Sequence, residues 1–352
     1  MHKTRMIQMI SSLLVTGMIL TGCGTTDTTE TTKAAGTEAA GAEETTAAAA
    51  AENYEFSLGT SSAGGNYYLI GSGWGNLISK EAENINVTSE STAGSTANLT
   101  MIENGEMDMG VTLGSSVYEA IEGEAEWTQG HKSENVRTLL PLYPSYLTMY
   151  ALSKNDITDI YDLNGKSVGT GSLGAGVDST AKAIFATLGI EVGSIHNDSH
   201  TNTAPNVGDG ITEVGVSFQN PPYPALVELE TSSDVTIIGM DQATQDKVLE
   251  NLPYLFPGVI PAGSYKGSPE DVISVADWNW LVVSKDMPNE AVYQILETTF
   301  DNKEDLLNIH KATANVDMEN YQYAATYLHP GVIEYLEDHD VPVADHLIPP
   351  AN

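Results

Sequence analysis

Gly59 to Gly75 reads GTSSAGGNYYLIGSGWG, a glycine- and hydroxyl-rich loop set between an apolar run, Tyr54 to Thr60, and an amphipathic helix. One face of that helix carries Tyr67, Ile70, Gly71, Trp74, Leu77 and Ile78. The order strand, small-residue loop, helix is the unit of a parallel α/β sheet. It recurs where Asn86 to Glu90 leads through STAGSTAN into a helix with Met101 and Ile102. It recurs again where Met107 to Leu113 leads through Gly114, Ser115 and Ser116 into a helix with Val117 and Ile121. In such a sheet the ligand crevice lies beyond the carboxyl ends of the strands, where each helix begins. The free N–H groups of a first helical turn and the positive end of its dipole favour a carboxylate or phosphate there, and glycine lets the ligand approach the backbone.

Further along the chain, Val168 to Ser179 reads VGTGSLGAGVDS and opens a second loop of the same kind. It follows the strand Ser167 to Gly171 and precedes a helix with Ala181, Ile184, Phe185 and Leu188 on one face, for which Asp178 or Ser179 is the expected N-cap. Val136 to Ser153 is a long strand-rich passage before this second alternation. Val214 to Phe218 and Val235 to Met240 supply later strands, and Val272 to Ser284 is long enough to carry the chain back to the first set. Pro288 starts a helix with Val292, Ile295, Leu296 and Phe300 on one face. Residues 54 to 352 span 299 positions, the size at which one core divides in two. The expectation is an α/β chain of two lobes joined by two crossings, a hinge whose facing loops close on a small acidic ligand.

The N-terminus has basic residues at Lys3 and Arg5, an apolar stretch from Met6 to Leu20, and then LTGC ending at Cys23. The stretch is short for a membrane span and reads as an export signal. Residues Gly24 to Glu52 are Thr, Ala, Gly and Glu with almost no large apolar side chain, the composition of a flexible tether. The chain carries a formal charge of −34, and loss of the signal with Lys3 and Arg5 takes it to −36. Such a field repels nucleic acid and acidic headgroups. A small anion must therefore be held by local dipoles. The one arginine left after the signal, Arg137, begins a predicted strand and is assigned to structural pairing rather than to a ligand clamp.

Other motifs carry less. Gly169, Gly171 and Gly174 form GxGxxG with Glu191 downstream, a dinucleotide signature that sits midway along an exported chain and is read instead as a close-approach ligand loop. His196, Asp198 and His200 in HNDSH, and His339 and His346 among acids, have metal-like spacing without a helical or strand context. No GxSxG elbow is present. No metal, no cofactor and no catalytic residue is expected. Tyr67, Tyr68, Tyr143, Phe218 and Tyr223 are the aromatics nearest the predicted strand ends, either core rings or, together, the walls of a pocket.

Taken together, GTSSAGGNYY with Gly71, SESTAGSTANLTMIENGEMDMGV, LPLYPSYLTMYA, ITDIYDLNGKSVGTGSLGAG, NPPYPALVEL, IPAGSY and LHPG resemble the solute-binding subunits of tripartite ATP-independent periplasmic (TRAP) transporters, of the TAXI subfamily. The likeness runs from about Phe56 to Leu336. It implies a two-lobe periplasmic-binding-protein fold of type II-like character with hinge-crossing strands, closing on a small organic acid or amino acid, glutamate-like or dicarboxylate. It also implies delivery to ion-driven TRAP membrane subunits, and Cys23 resembles the lipid acceptor of a bacterial lipoprotein signal. Carried over by position, the ligand-binding residues are Thr60, Ser61, Gly64, Gly65 and Tyr67; Ser91, Gly94, Ser95 and Asn98; Ser115 and Ser116; and Gly171, Ser172, Gly174, Ala175, Gly176, Asn220 and Tyr223, with Tyr143 added from the aromatics. The stretch His196 to Gly215 fits the family only loosely.

The expected division is a lipoprotein signal at 1–22, a tether at 23–53, one lobe from 54–145 plus 276–352, and a second from 146–275. The expected state is an exported monomer, lipid-anchored to the outer face of the cell membrane, with no nucleic-acid partner. The alternatives are a receptor that presents its ligand to a membrane sensor, or an exported enzyme.

Overall fold

The computed structural model describes residues 53–350. The export signal, Cys23 and all of the tether but Asn53 lie outside them. The elements run β1 (Tyr54–Gly59), α1 (Asn66–Glu81), β2 (Ile85–Glu90), α2 (Ser95–Glu103), β3 (Met109–Leu113), α3 (Gly114–Glu122) and β4 (Val136–Leu152). There follow β5 (Ser167–Gly169), α4 (Gly176–Leu188), β6 (Ser194–His196), α5 (Thr203–Gly208), β7 (Val214–Gln219), α6 (Pro224–Ser232), β8 (Val235–Ile238), α7 (Gln242–Asn251) and β9 (Phe256–Ile260). The chain ends with β10 (Val272–Ser284), α8 (Asn289–Asp301), α9 (Lys303–Ile309) and α10 (Pro330–Asp338).

The strands form one curled sheet in the order β2-β1-β3-β10-β4-β7-β5-β6, with β8 against β4 and β9 against β10. The repeated alternation read from the sequence yields parallel pairs at both ends, β2-β1-β3 and β7-β5-β6. Between them the sheet is antiparallel, because β10 returns from the far end of the chain and slots between β3 and β4. Every residue of β3 is buried, as expected for a strand covered by helices on both faces.

β4 and β10 are the crossings. The first part of β4 pairs with the last part of β10, while Tyr146 to Leu152 pair with β7 and β8 and Val272 to Ala276 pair with β9. The register between the two slips between Asn279 and Trp280, where Tyr143 and Pro141 stand opposite, and between Leu281 and Val282, where Leu140 and Thr138 do. Proline has no N–H for the ladder, so a long strand containing it bends at such a point. The buried side chains divide accordingly. Leu140 and Tyr143 of β4 and Trp280 of β10 pack in one cluster with Trp74, Val111 and Leu296. Leu147, Met149 and Val275 pack in another with Val168, Ile184 and Val216, and Tyr150 and Leu152 join a third with Leu226 and Tyr265. The result is the expected two-lobe α/β architecture.

Helix α1 shows how the sequence sets this packing. Ile70, Trp74, Leu77 and Ile78 make its buried stripe, and the Trp74 indole donates to Thr299 Oγ1 across 3.0 Å. Gly71 lies so close to β1 that a Cβ there would stand 2.8 Å from Thr60 Cγ2. One expectation needs correction: α4 starts at Gly176 with Ala175 as its N-cap, so Asp178 and Ser179 lie inside the first turn. Asp178 instead accepts from Thr170 Oγ1 at 2.6 Å, Asn197 Nδ2 at 3.0 Å and Lys182 Nζ at 2.8 Å, bonds that use its carboxylate away from the helix end.

Candidate functional site

Helices α1, α2 and α4 all begin at one partly open cavity of about 70 Å³, which Asn66, Ser95 and Gly176 line. Their N-caps are Gly65, Gly94 and Ala175, and none of the three supplies a side-chain cap to the first turn. A first turn without a cap leaves N–H groups in need of an acceptor. Gly94 has φ 119°, a conformation open to glycine, and it brings the chain up to Ala175 on the facing loop, 3.6 Å from where a Cβ would stand. None of the side chains lining the cavity is a carboxylate, a lysine or an arginine. The lining therefore presents backbone groups and neutral side chains.

Of the residues carried over from the sequence, Ser61, Gly65, Tyr67, Gly94 and Ser95 line the cavity from one side and Gly171, Ser172, Ala175 and Gly176 from the other, with Tyr143 at the crossing. The rest stand behind these surfaces. Thr60 is fully buried and donates to the Glu90 carbonyl at 2.7 Å. Asn98, also fully buried, donates to the carbonyls of Gly59, Thr60 and Val111 at 3.1, 2.9 and 2.8 Å and accepts from Thr92, so it braces the ends of β1 and β3. Ser91 Oγ donates to the Ser61 carbonyl at 2.9 Å. Gly64, at φ 90°, packs near Thr201, and the Gly174 carbonyl accepts from the Ala97 amide at 3.2 Å. Ser115 bonds Thr180 Oγ1 at 2.8 Å, and Ser116 Oγ is buried without a protein partner beside Gly176. Asn220 Nδ2 donates to the Pro144 carbonyl at 3.4 Å. Tyr223 donates to the His200 carbonyl at 2.9 Å, and the two rings lie 5.1 Å apart.

The structure adds lining residues that sequence reasoning did not assign to the ligand site: Ser62, Asn66, Ala93, Leu113, Val177, His200 and Gln219, and it places Phe218 there as well. Gln219 Nε2 and His200 Nε2 lie 2.8 Å apart, and Gln219 Oε1 accepts from Asn66 Nδ2 at 3.4 Å, so a polar chain runs across the cavity mouth. In that arrangement the His200 Nε2 accepts and its proton sits on Nδ1. Burial lowers the His200 pKa to about 4, which leaves the ring neutral at physiological pH. His196 goes elsewhere: it is exposed in β6 with Nε2 3.2 Å from Ser194 Oγ, so the HNDSH spacing does not gather its two histidines on one site. Gln219 ends β7, and the rule that ligands sit beyond strand carboxyl ends was the signal that would have found it. Nothing in the spacing of His200 pointed to the cavity.

Beneath the cavity, the Tyr67 hydroxyl donates to Asn279 Oδ1 at 2.6 Å, and Asn279 Nδ2 donates to the Tyr143 carbonyl and Ser145 Oγ, each at 2.7 Å. This ties the start of α1 to both crossing strands. Ser179 Oγ donates to Glu119 Oε2 at 2.5 Å, joining α4 to α3. The facing loops are therefore in contact.

The NMT1-like family model matches residues 58–339. Among solved structures, the periplasmic binding protein BugD superposes with a TM-score of 0.52 at 11% identity, covering 82% of this chain and 97% of that one. MatC from Rhodopseudomonas palustris, with bound malate, gives 0.51 at 11% identity over 82% and 96%. A Xanthomonas citri protein bound to ATP gives 0.51 at 10% identity over 81% and 98%. These likenesses bear on the fold.

Proposed function

Because the chain belongs to the NMT1-like family, we propose that it is an extracytoplasmic solute receptor that closes on one compact organic acid or amino acid and passes it to TRAP-type membrane subunits of the TAXI kind. The observation that carries this reading is the meeting of three helix N-termini without side-chain caps on a partly open cavity with no carboxylate, lysine or arginine in its lining, in a chain of net charge −34. Only local dipoles offset that global field, and they do so for an anion. The space is equivalent to roughly five to seven water-sized groups at about 10–15 Å³ each. At about 70 Å³, it favours the small end of the carboxylate class.

In this reading the lobes are 54–145 with 276–352, and 146–275, moving about the Tyr143–Tyr146 and Ala276–Asn279 stretches of the crossings. A signal at 1–22, acylation of Cys23 and a tether at 23–53 hold a monomer at the outer face of the membrane. The carried-over residues act in two ranks. Those lining the cavity meet the ligand, and Thr60, Ser91, Asn98, Ser115 and Tyr223 hold them in place. The protein is a receptor and not an enzyme, with transport as its role rather than presentation of the ligand to a sensor.

Native mass spectrometry of protein purified without refolding tests this, with thermal shift across organic and amino acids. A retained small acid, and one acid that raises the melting temperature saturably, are expected. No shift across the panel, together with turnover of any substrate by the purified protein, would falsify the reading.

A further inference from the structure

A second cavity, about 260 Å³, shares no lining residue with the first and owes nothing to the carboxylate reading. Six aromatic rings wall it: Tyr118, Tyr254, Phe256, Trp278, Trp280 and Tyr323. Trp278 stacks on Tyr323 with centroids 5.2 Å apart at 14°, and Tyr118 meets Tyr254 at 5.1 Å. The Asp277 carboxylate also lines this cavity, although the residue is only 1% exposed. It accepts from the Ser115 amide, with Oδ2 at 3.0 Å and Oδ1 at 3.3 Å, and no ion pair to it exists among the described residues. The Trp280 indole N–H is buried with no partner. It points to the same corner, since a Cβ on Gly114 would stand 2.9 Å from Asp277 Oδ1 and 3.3 Å from Trp280 Nε1.

We propose that this cavity is a binding site for a small organic ammonium ion, with Asp277 as its counter-charge and the aromatic faces as its walls. A carboxylate taken out of water without a cation is costly, and an ammonium supplies the missing charge. Ring faces attract a cation, the more so when water is excluded. A hydroxyl or other acceptor on the same ligand meets the free Trp280 N–H. Burial, with the nearby Glu119 charge adding to it, pushes the Asp277 carboxyl up to about 7 against the hydrogen bonds it accepts, and a bound cation would draw it back down. Tyr323, half exposed, and the exposed Gln322 mark the entrance. Tyr254 packs on the second buried cluster while Trp278 and Trp280 belong to the first, so an occupant touches both cores.

The test is a titration of the purified protein with tetramethylammonium chloride, followed by tryptophan fluorescence, beside a sodium chloride titration of equal ionic strength. A saturable change specific to tetramethylammonium is expected. Tyr323→Ala should weaken it about tenfold and Asp277→Asn by more. Tyr323 is half exposed, so its variant reports on the site even if Asp277→Asn fails to fold. Coincident tetramethylammonium and sodium curves, or a Tyr323→Ala titration identical to the parent's, would overturn the site.

Discussion

The two walls of the central cavity are made of different material. On the α1 and α2 side the lining is mostly backbone and short hydroxyls, from Ser61, Gly65, Gly94 and Ser95, with Asn66 and Tyr67 beside them, and the three carbonyl bonds of Asn98 brace it. The facing wall adds long polar side chains, His200 and Gln219, which rest on Tyr223 and on each other. Backbone dipoles recognise a negative charge without regard to the rest of the molecule, whereas side-chain hydrogen bonds discriminate by shape and by unpaired cost. In our reading the first wall captures and the second selects.

Gly65→Leu bears hardest on this division. Gly65 has φ −80° and ψ 156°, which any residue adopts, and a Cβ there would stand 2.7 Å from Ser61 Oγ, a side chain free to move. The fold should therefore hold, with a melting temperature near that of the parent, while the leucyl group fills a cavity of about 70 Å³. Ligand affinity measured by calorimetry should fall more than about a hundredfold, some 2.7 kcal/mol. Unchanged affinity would remove the first wall from the site. Gln219→Ala should cost less, about tenfold, because it deletes a polar link to His200 and Asn66 while the dipoles remain. Its sharper effect should be on choice: the ratio of affinities for two competing acids should change more than it does in any first-wall variant retaining binding.

The same contrast explains what could be read from the chain. The first wall was legible because strand, glycine loop and helix are local in sequence and their meaning follows from chain geometry, so the motif marked the loops and the family resemblance then gave Ser61, Gly65, Gly94 and Ser95 within them. Its inner rank was named too, but Asn98 and Thr60 turned out to face the backbone they hold, a distinction that depends on side-chain direction. The second wall was half legible. Gly171 to Gly176 repeat the local pattern, whereas His200 reaches the cavity only because the polar stretch after β6 folds back over Tyr223. The mixed sheet was hidden for a related reason: β10 pairs with strands more than a hundred residues away, and no local pattern encodes that partner.

Acidity separates the walls again. His200 is the second wall's titrating group within the range of ordinary assays, held neutral by burial with its pKa lowered to about 4. Affinity for a carboxylate should accordingly be flat from pH 8 to about 5.5, and a fall centred on pH 6.5 would show the ring to be solvated. Stability carries the matching sign. The native state refuses a proton that the unfolded chain accepts, so this contribution is present above about 6.5 and is lost as pH falls towards 4. His329 is lowered to about 4 as well and adds to the same loss. His200→Gln, melted beside the parent from pH 7 to pH 4.5, should lose stability less steeply.

The smallest effect expected is at Asp198, in the exposed turn that leads to His200. Its carboxylate accepts from the Ser199 amide at 2.6 Å, Asn202 Nδ2 at 3.0 Å and Asn206 Nδ2 at 3.2 Å, and these bonds hold its pKa below the usual carboxylate range. All of them compete with water, and such exposed contacts contribute little net energy. His200 has better support underneath, from the Tyr223 ring at 5.1 Å, its hydroxyl at 2.9 Å and Gln219 at 2.8 Å. Asp198→Ala should therefore change ligand affinity by no more than about threefold. A tenfold loss would mean that the surface turn, and not the buried pair, positions the imidazole, and the selecting wall would then extend out to the solvent.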